Sequence, residues 1–277
     1  MNASAAPRFG LYMPPFGPFA EADALVRVAT HAEAAGWDGV FLWDHVLADG
    51  FAVADPWVAL GAMASATERV LLGPLVTPLA RRRPWVVARQ AATLDEISDA
   101  RAVLGVGVGW PGPDFTAFEE PDTLRLRAEM LDEAVELMGR IWAGGPVAHS
   151  GRHYSVAIET DEPAARRPVP IWGAHILGMP RSLERAARLD GICPIEAEGA
   201  GPISPSEVAS LVAGLQNVKD GFEVVLRGGA SKAWPEPAHA PLRELTDAGM
   251  TWWLESLIHF DPLELTMKVV DAGPPSL

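Results

Sequence analysis

Val103-Leu104-Gly105-Val106-Gly107-Val108-Gly109-Trp110 places glycine at every second position of a β-rich segment. Alternate residues of a strand point to opposite faces, so one face is bare while the other carries leucine and valine. The apolar face suits a strand that packs outward against helices. The bare face either borders a binding cavity or lets another backbone or a core side chain come close. This segment alone leaves both interpretations open.

Similar short apolar segments, separated by helical patterns, recur along the chain. The eight predicted strands are residues 9–13, 39–43, 70–76, 102–109, 170–174, 191–194, 222–226 and 250–255. Three helix starts are marked by a capping side chain before a proline, at Asp55-Pro56, Ser204-Pro205 and Asp261-Pro262. This alternation predicts an α/β protein with a (β/α)₈ TIM barrel, formed by residues 1–277 as a single domain.

Composition narrows the classes of function. The chain has 277 residues, of which 49% are hydrophobic, and a formal net charge of −14. This acidity argues against binding to nucleic acid or to an anionic membrane. The lone cysteine, Cys193, excludes an internal disulfide, and the histidines lack the HxH or HExxH spacing of zinc sites. Without a signal peptide or membrane span in the sequence, we expect a cytoplasmic protein.

Two segments are additions to the eight strands and helices of a minimal barrel. Residues 111–121 follow the fourth predicted strand, where functional loops of barrels gather, and they are predicted to form a lid over the mouth. After a helix predicted at 123–142, residues 146–158 with the turn Ser150-Gly151 predict a small hairpin. We expect the hairpin to serve as a contact between subunits.

Asp44 and His45 follow the second predicted strand directly, at the barrel end where enzymes of this fold keep their chemistry. Histidine donates or accepts protons near neutral pH, and a neighbouring carboxylate orients a ring or binds an N–H group of a cofactor. The alternative is that Asp44 caps the next loop and His45 fills space. We favour the catalytic interpretation because of the position.

Three strand ends offer an anion site. Arg81, Arg82 and Arg83 precede a helix N-terminus, although three arginines also suit a solvated turn. Residues 173–182, after the fifth predicted strand, combine small residues, Arg181, Ser182 and a helix start. Residues 227–232, after the seventh, form a second such cradle. The residues alone do not choose between the last two.

Several motifs occur in an order that is specific as a set. They are Ala34-Ala35-Gly36-Trp37-Asp38-Gly39-Val40-Phe41-Leu42-Trp43-Asp44-His45, Val76-Thr77-Pro78, Ala91-Ala92-Thr93-Leu94-Asp95, Gly151-Arg152-His153-Tyr154, Pro168-Val169-Pro170-Ile171-Trp172-Gly173 and Ala186-Ala187-Arg188-Leu189-Asp190-Gly191, with the glycine-rich segment among them. In this order the chain resembles the bacterial luciferase-like flavin-dependent oxidoreductases and monooxygenases.

The resemblance implies a barrel that binds FMN or the deazaflavin coenzyme F420 at its mouth. It implies a cis peptide at Leu75-Val76, which would form a bulge behind the cofactor ring, and a phosphate site at residues 173–182. The residues implied to bind the cofactor are Asp44, Leu75, Val76, Thr77, Gly107, Gly109, Trp110, Gly173, Ala174, His175, Gly178, Arg181 and Ser182. His45 and Asp44 are the expected catalytic residues.

Two positions depart from the family pattern. Ala174 replaces a glycine that usually follows Gly173, which weakens the case for phosphate contact through that backbone. Trp110 stands where deazaflavin-dependent sugar-phosphate dehydrogenases of the family place a catalytic glutamate. We therefore do not expect that activity.

The expected function is that of a flavin-dependent oxidoreductase acting on a small apolar or aromatic substrate beneath residues 111–121. Two mechanisms stay open. Reduced FMN, delivered by a separate flavin reductase, would support monooxygenation, whereas F420 would exchange a hydride. Members of this family are often dimers, so we also expect a homodimer.

Two other classes of function remain. The chain could be a non-catalytic ligand-binding barrel that has lost its cofactor, as Ala174 and Trp110 suggest. It could also be a lyase or isomerase that uses Asp44 and His45 without a cofactor. Such enzymes often employ a lysine, and the only lysines are Lys219, Lys232 and Lys268.

Overall fold

The computed structural model describes residues 6–195, 202–234 and 240–277. Its main sheet has nine parallel strands in the order β3-β2-β1-β11-β10-β9-β8-β5-β4. These are β1 Arg8–Met13, β2 Gly39–Leu42, β3 Leu71–Pro74, β4 Thr77–Pro78, β5 Leu104–Gly107, β8 Ile171–Ile176, β9 Gly191–Ile195, β10 Glu223–Gly228 and β11 Trp252–Ser256. A separate antiparallel hairpin pairs β6 Val147–Ser150 with β7 Ser155–Ile158.

The sheet curls into a nearly closed barrel. The third predicted strand, 70–76, appears as β3, which ends at Pro74, and the short strand β4 follows it. β3 pairs with β2, and β4 pairs with β5. A parallel bridge between Leu72 and Ala102 joins β3 to the start of the next strand, where the Val103 amide donates to the Leu72 carbonyl at 3.0 Å. The predicted barrel and the predicted hairpin at 146–158 are both confirmed.

Helices alternate with the barrel strands. They are α1 Ala22–Ala34, α2 Pro56–Ala66, α3 Pro84–Ile97, α4 Pro113–Thr116, α5 Leu124–Ala143, α6 Pro180–Ala187, α7 Pro205–Gly214, α8 Leu242–Asp247 and α9 Leu263–Asp271. Asp55 caps α2 as predicted, and Ser204 and Glu207 form a capping box on α7. The predicted start of the last helix at Pro262 was one residue early, because Pro262 itself is the N-cap.

The two faces of the glycine-rich strand meet different surroundings. Leu104 and Val106 are buried in the large cluster that the strands share with the outer helices, which confirms the predicted outward face. A second cluster gathers the side chains that face the barrel interior. Its buried members are Phe41, Leu75, Val103, Trp172, Cys193, Val225, Trp252 and Leu254.

Helix length and apolarity bear on membrane insertion. Among the residues that the structure describes, no helix is both long enough and apolar enough to cross a bilayer.

Candidate functional site

The peptide bond between Leu75 and Val76 is cis, as expected, and it separates β3 from β4. The resulting bulge fills the bare face of β5. A methyl group added at Gly105 would lie 2.5 Å from Leu75 Cδ1, and one at Gly107 would lie 2.7 Å from Val76 Cγ2. Close packing therefore explains these two glycines, and a ligand at the mouth would meet the bulge before the glycines. Their contact with a cofactor remains a prediction.

The last glycine of the run anchors the segment after β5. Gly109 has a φ of +74°, and a methyl group there would lie 2.8 Å from the ring of Phe115 in α4. The Arg127 guanidinium lies 4.4 Å from the centre of that ring, and it donates to the Gly109 carbonyl at 3.3 Å. The predicted lid is thus fixed at α4, while Trp110 and Phe118 on either side are exposed.

Asp44 lies buried at the end of β2 and is 2% exposed. Its carboxylate accepts hydrogen bonds from Thr77 Oγ1 at 2.9 Å, from Arg81 at 3.0 Å and from Arg82 at 2.7 Å. Arg81 also donates to the Asp44 carbonyl. Asp44 therefore ties the loop after β2 to the residues after the cis bond. The Asp44 carboxylate is the anion that Arg81 and Arg82 bind, so these two side chains do not form a solvated turn, whereas Arg83 is exposed.

His45 is oriented by Asp114, a residue of α4. Nδ1 of His45 lies 2.8 Å from Asp114 Oδ2, while Asp114 Oδ1 accepts from the amides of Val46 at 3.1 Å and Leu47 at 2.8 Å. Burial raises the pKa of Asp114, but the hydrogen bonds from His45 and the two amides outweigh it, so the pKa is lowered overall. A carboxylate on Nδ1 favours the tautomer that leaves Nε2 for a ligand.

Sequence reasoning missed Asp114. The available signal was Gly112-Pro113-Asp114, a helix start with an acidic residue in its first turn at the carboxyl end of a strand. The histidine that the Asp114 carboxylate reaches depends on the path of the loop after β5. That path could not be predicted from the sequence.

The loop after β8 contains the predicted phosphate residues. Ala174 is near the mouth, since a methyl group at Gly107 would lie 3.2 Å from Ala174 Cβ. His175 is buried, which lowers its pKa, and its Nδ1 lies 2.7 Å from Ser182 Oγ. Gly178 adopts a φ of +81°, and Arg181 is exposed in the first turn of α6. The structure thus brings some of the predicted phosphate residues together. Two of them, His175 and Ser182, contact each other.

The competing cradle after β10 already holds an anion. The fully buried carboxylate of Glu255 accepts from the Ala230 amide at 2.9 Å, the Ser231 amide at 3.0 Å, Trp234 Nε1 at 2.6 Å and Trp253 Nε1 at 3.1 Å. The sequence correctly indicated an anion cradle here, but its anion is internal. The loop after β8 is therefore the better candidate for a ligand phosphate.

Aromatic and cationic side chains line the mouth itself. The rings of Tyr12 and Trp43 lie 5.4 Å apart, and the Arg227 guanidinium lies 5.7 Å from the Tyr12 ring. Nε1 of Trp43 is shielded from water and has no hydrogen-bond partner among the described residues. Within those same residues, no group of three or more His, Cys, Asp or Glu side chains is placed to hold a metal ion.

Comparison with known proteins gives a family match and similar proteins. A family model described as luciferase-like monooxygenase matches residues 6–198. The F420-dependent glucose-6-phosphate dehydrogenase of Microbacterium testaceum is 37% identical over 163 residues, which cover 57% of this chain and 47% of the relative. The enzyme of the same name from Kineococcus radiotolerans is 33% identical over 203 residues, covering 69% and 58%. The chain spans about half the length of the curated relatives it matches.

Solved structures match over nearly the whole chain. An F420-dependent secondary alcohol dehydrogenase, in complex with an F420-acetone adduct, superposes with a TM-score of 0.74 at 18% identity, covering 97% of this chain and 99% of the other. The oxygenating constituent of 3,6-diketocamphane monooxygenase from Pseudomonas putida, with FMN, superposes with a TM-score of 0.69 at 15% identity, covering 97% of each chain. At these identities the similarity concerns the fold.

Proposed function

The chain belongs to the luciferase-like monooxygenase family, whose members use FMN or F420, and we propose that it is an oxidoreductase that uses one of these cofactors on a small apolar or aromatic substrate. The observation that carries this proposal is the His45–Asp114 pair, which lies at the barrel mouth because His45 follows β2 and Asp114 follows β5. Whole-chain activity is inferred from the site, because the dehydrogenase relatives are matched over about half their length.

The residues at the mouth fit a flat heteroaromatic ring. Val76 and Ala174 present apolar surface, Tyr12 is an aromatic neighbour, and Trp43 has a shielded N–H without a described partner. Arg227 adds positive charge close to Tyr12, which suits the electron-rich edge of a reduced flavin. Arg181 and the N-terminus of α6 would hold the cofactor phosphate.

The chemistry then divides between cofactor and protein. When bound, FMN or F420 supplies hydride transfer, and reduced FMN also supplies reactivity toward dioxygen. His45 holds or releases a proton at Nε2 toward a substrate oxygen, while Asp114 fixes the orientation of the ring. Asp44, bound to Thr77, Arg81 and Arg82, keeps the loops after β2 and β4 in register.

A titration tests the proposal. Purified protein is titrated with oxidised FMN, with reduced FMN under anaerobic conditions and with F420, and binding is followed by absorbance and fluorescence. We expect micromolar or tighter binding of one cofactor. Riboflavin, which lacks the phosphate, should bind at least about tenfold more weakly than FMN if FMN is the cofactor. Failure of both cofactors to bind overturns the proposal.

Matched arginine variants test the phosphate loop. Arg181→Ala should weaken binding of the phosphate-bearing cofactor by about tenfold. Arg188→Ala, at the other end of α6 and paired with Asp132, should leave that affinity unchanged. Equal effects of the two variants would remove Arg181 from the site.

One observation favours a second candidate function, a ligand-binding barrel without cofactor. The Ser182 hydroxyl already contacts His175 and donates to the Met179 carbonyl at 2.9 Å, so a phosphate must compete with these partners. Under this alternative neither cofactor binds in the titration above, yet organic ligands still bind at the mouth.

A further inference from the structure

Aromatic rings form a continuous chain from the barrel mouth to its outer rim. We call this chain the aromatic wall; it consists of Tyr12, Trp43, Phe16, Phe51, His259 and Phe260. Successive ring centres lie 5.4 Å apart for Tyr12 and Trp43, 5.8 Å for Trp43 and Phe16, 4.8 Å for Phe16 and His259, and 3.9 Å for His259 and Phe260. Most of these separations are typical of packed aromatic pairs. Tyr12 lies in β1, and the other members of the wall follow β1, β2 and β11.

The outer end of the wall is open to a ligand. Phe16 is 6% exposed, whereas Phe51 is 41% and Phe260 is 75% exposed. The centres of the Phe51 and Phe260 rings lie 6.4 Å apart, so the two exposed rings are neighbours. Phe51 also borders an open groove, together with Val53, Pro113 and residues 46–50.

The wall also reaches the candidate catalytic residue and offers a polar contact. The ring of Phe16 lies 5.8 Å from the ring of His45. His259 carries a shielded Nδ1 without a hydrogen-bond partner among the described residues. Burial lowers the pKa of His259, so its ring is neutral at pH 7 and can donate or accept one hydrogen bond. A rotation of the His259 ring toward the groove would bring this atom to a hydroxyl or carbonyl group of a ligand.

We propose that the aromatic wall binds a planar aromatic substrate whose hydroxyl or carbonyl group contacts His259, and that it holds the ring of this substrate beside His45. The reaction follows from the function proposed above, whereas the binding does not depend on it. The phosphate of a sugar phosphate needs cations. Arg81 and Arg82 are engaged by Asp44, and the amides of the cradle after β10 bind Glu255. The six residues of the wall include no lysine or arginine, so we expect the wall to favour an aromatic ligand over a sugar phosphate.

Calorimetric titration tests the wall with three ligands: 2-naphthol, its saturated analogue decahydro-2-naphthol and glucose 6-phosphate. Each is titrated into the protein with and without the cofactor that it binds. We expect 2-naphthol to bind at least about fivefold more tightly than the saturated analogue, because only a planar ring can stack on the wall. Tighter binding of glucose 6-phosphate, or equal binding of the two naphthol compounds, overturns the inference.

Variants locate the binding. Phe260→Ser should weaken 2-naphthol binding by about three- to tenfold, since it removes one ring face. Ile97→Ser is the matched control, because Ile97 is 47% exposed at the far end of α3. It should leave the affinity unchanged. Equal affinities of the two variants would show that naphthol binds elsewhere, and the wall would be excluded as its site.

His259→Phe isolates the polar contact. The variant keeps an aromatic ring but loses Nδ1, so it should bind naphthalene as well as the parent protein and 2-naphthol about three- to tenfold more weakly. Unchanged binding of 2-naphthol removes His259 from the proposal. If naphthol binds through the wall but neither cofactor binds, the inference stands and the proposed function fails. If a cofactor binds and naphthol does not, the proposed function stands and the inference fails.

Discussion

His45 is held by a carboxylate 69 residues further along the chain. Asp114 in turn accepts hydrogen bonds from the amides of Val46 and Leu47, the two residues that follow His45. Such an arrangement fixes both the ring orientation and its tautomer, and these are the properties that general acid–base chemistry requires of a histidine. The two residues therefore act as one unit.

Replacing His45 tests the catalytic role. In His45→Ala we expect kcat to fall by roughly 10²- to 10⁴-fold, the usual contribution of a positioned acid or base, while cofactor affinity changes less than about threefold. Steady-state kinetics and the cofactor titration measure the two quantities separately. Retained turnover would contradict the assignment.

Replacing Asp114 tests the pH dependence of stability. The folded-state pKa of Asp114 is lowered, so its carboxylate contributes stability above the unfolded pKa, near 3.9, and this contribution is lost as pH falls through the folded value. Asp114→Asn should reduce the free energy of unfolding at pH 7 by roughly 1–3 kcal/mol, and the difference from the parent should shrink below about pH 4. Urea unfolding at several pH values measures this. Asp49→Asn, exposed in the same loop, serves as the control.

The residue types at the site were largely predictable, but their partners were not. Asp44, His45 and the arginines after β4 were identified from their position at strand ends, and the cradle after β10 from its composition. Sequence patterns show that an anion is favoured beside these arginines and in this cradle. They do not show whether that anion is a ligand or a carboxylate of the protein itself. Asp44 and Glu255 fill these places through contacts between distant residues, and no local spacing encodes such contacts.

Glycine in β5 makes room for the bulge that follows β3. Gly107→Ala would place a methyl group 2.7 Å from Val76 Cγ2 and 3.2 Å from Ala174 Cβ, so the bulge must shift. We expect a loss of roughly 1–3 kcal/mol in stability and weaker binding of the cofactor. Thermal unfolding and cofactor titration check this expectation.

Gly139→Ala is the control for that substitution. Gly139 lies in α5 with open space around its Cα, so alanine there should stabilise the protein by roughly 0.5–1 kcal/mol. If both variants gain stability, the bulge does not require glycine at position 107.

The loop after β10 depends on one buried carboxylate. Glu255→Gln removes the charge that four donors share, and we expect a loss of roughly 1–3 kcal/mol together with faster proteolysis between residues 227 and 234. Glu136→Gln, exposed on α5, should leave stability and cleavage unchanged. Identical proteolysis of both variants would contradict a structural role for Glu255.

At the scale of elements, the strands were predictable because each is a short apolar run bounded by turn residues. The break between β3 and β4 followed only from the family resemblance, since Leu75 and Val76 look like ordinary strand residues. The start of α9 was placed one residue early because an Asp-Pro pair was taken as cap and first helical residue. Pro262 occupies the N-cap position instead. Because proline suits the N-cap as well as the first helical position, the local sequence does not distinguish the two.

At the scale of the whole molecule, α2 is an apolar helix with one side left uncovered by the rest of the chain. Its sequence, Pro56–Ala66, contains no charged residue, yet one side of it is in solvent, with Val58 72% exposed and Ala62 and Ser65 exposed beside it. A helix that is apolar on all sides is normally buried on all sides. An uncharged face is also where two copies, each with a net charge of −14, repel each other least.

We propose that this face of α2, instead of the hairpin of β6 and β7, forms the interface of a homodimer. Light scattering coupled to size exclusion should give twice the mass of the chain, and the dimer fraction should rise with salt, because salt screens the repulsion between acidic subunits. Ala62→Glu places a charge in the interface and should yield monomers. Leu124→Glu adds the same charge at the exposed start of α5, where a helix N-terminus favours it, and should leave the dimer intact. A monomeric parent protein at every salt concentration would exclude the interface, and solvent would then be the native surrounding of α2.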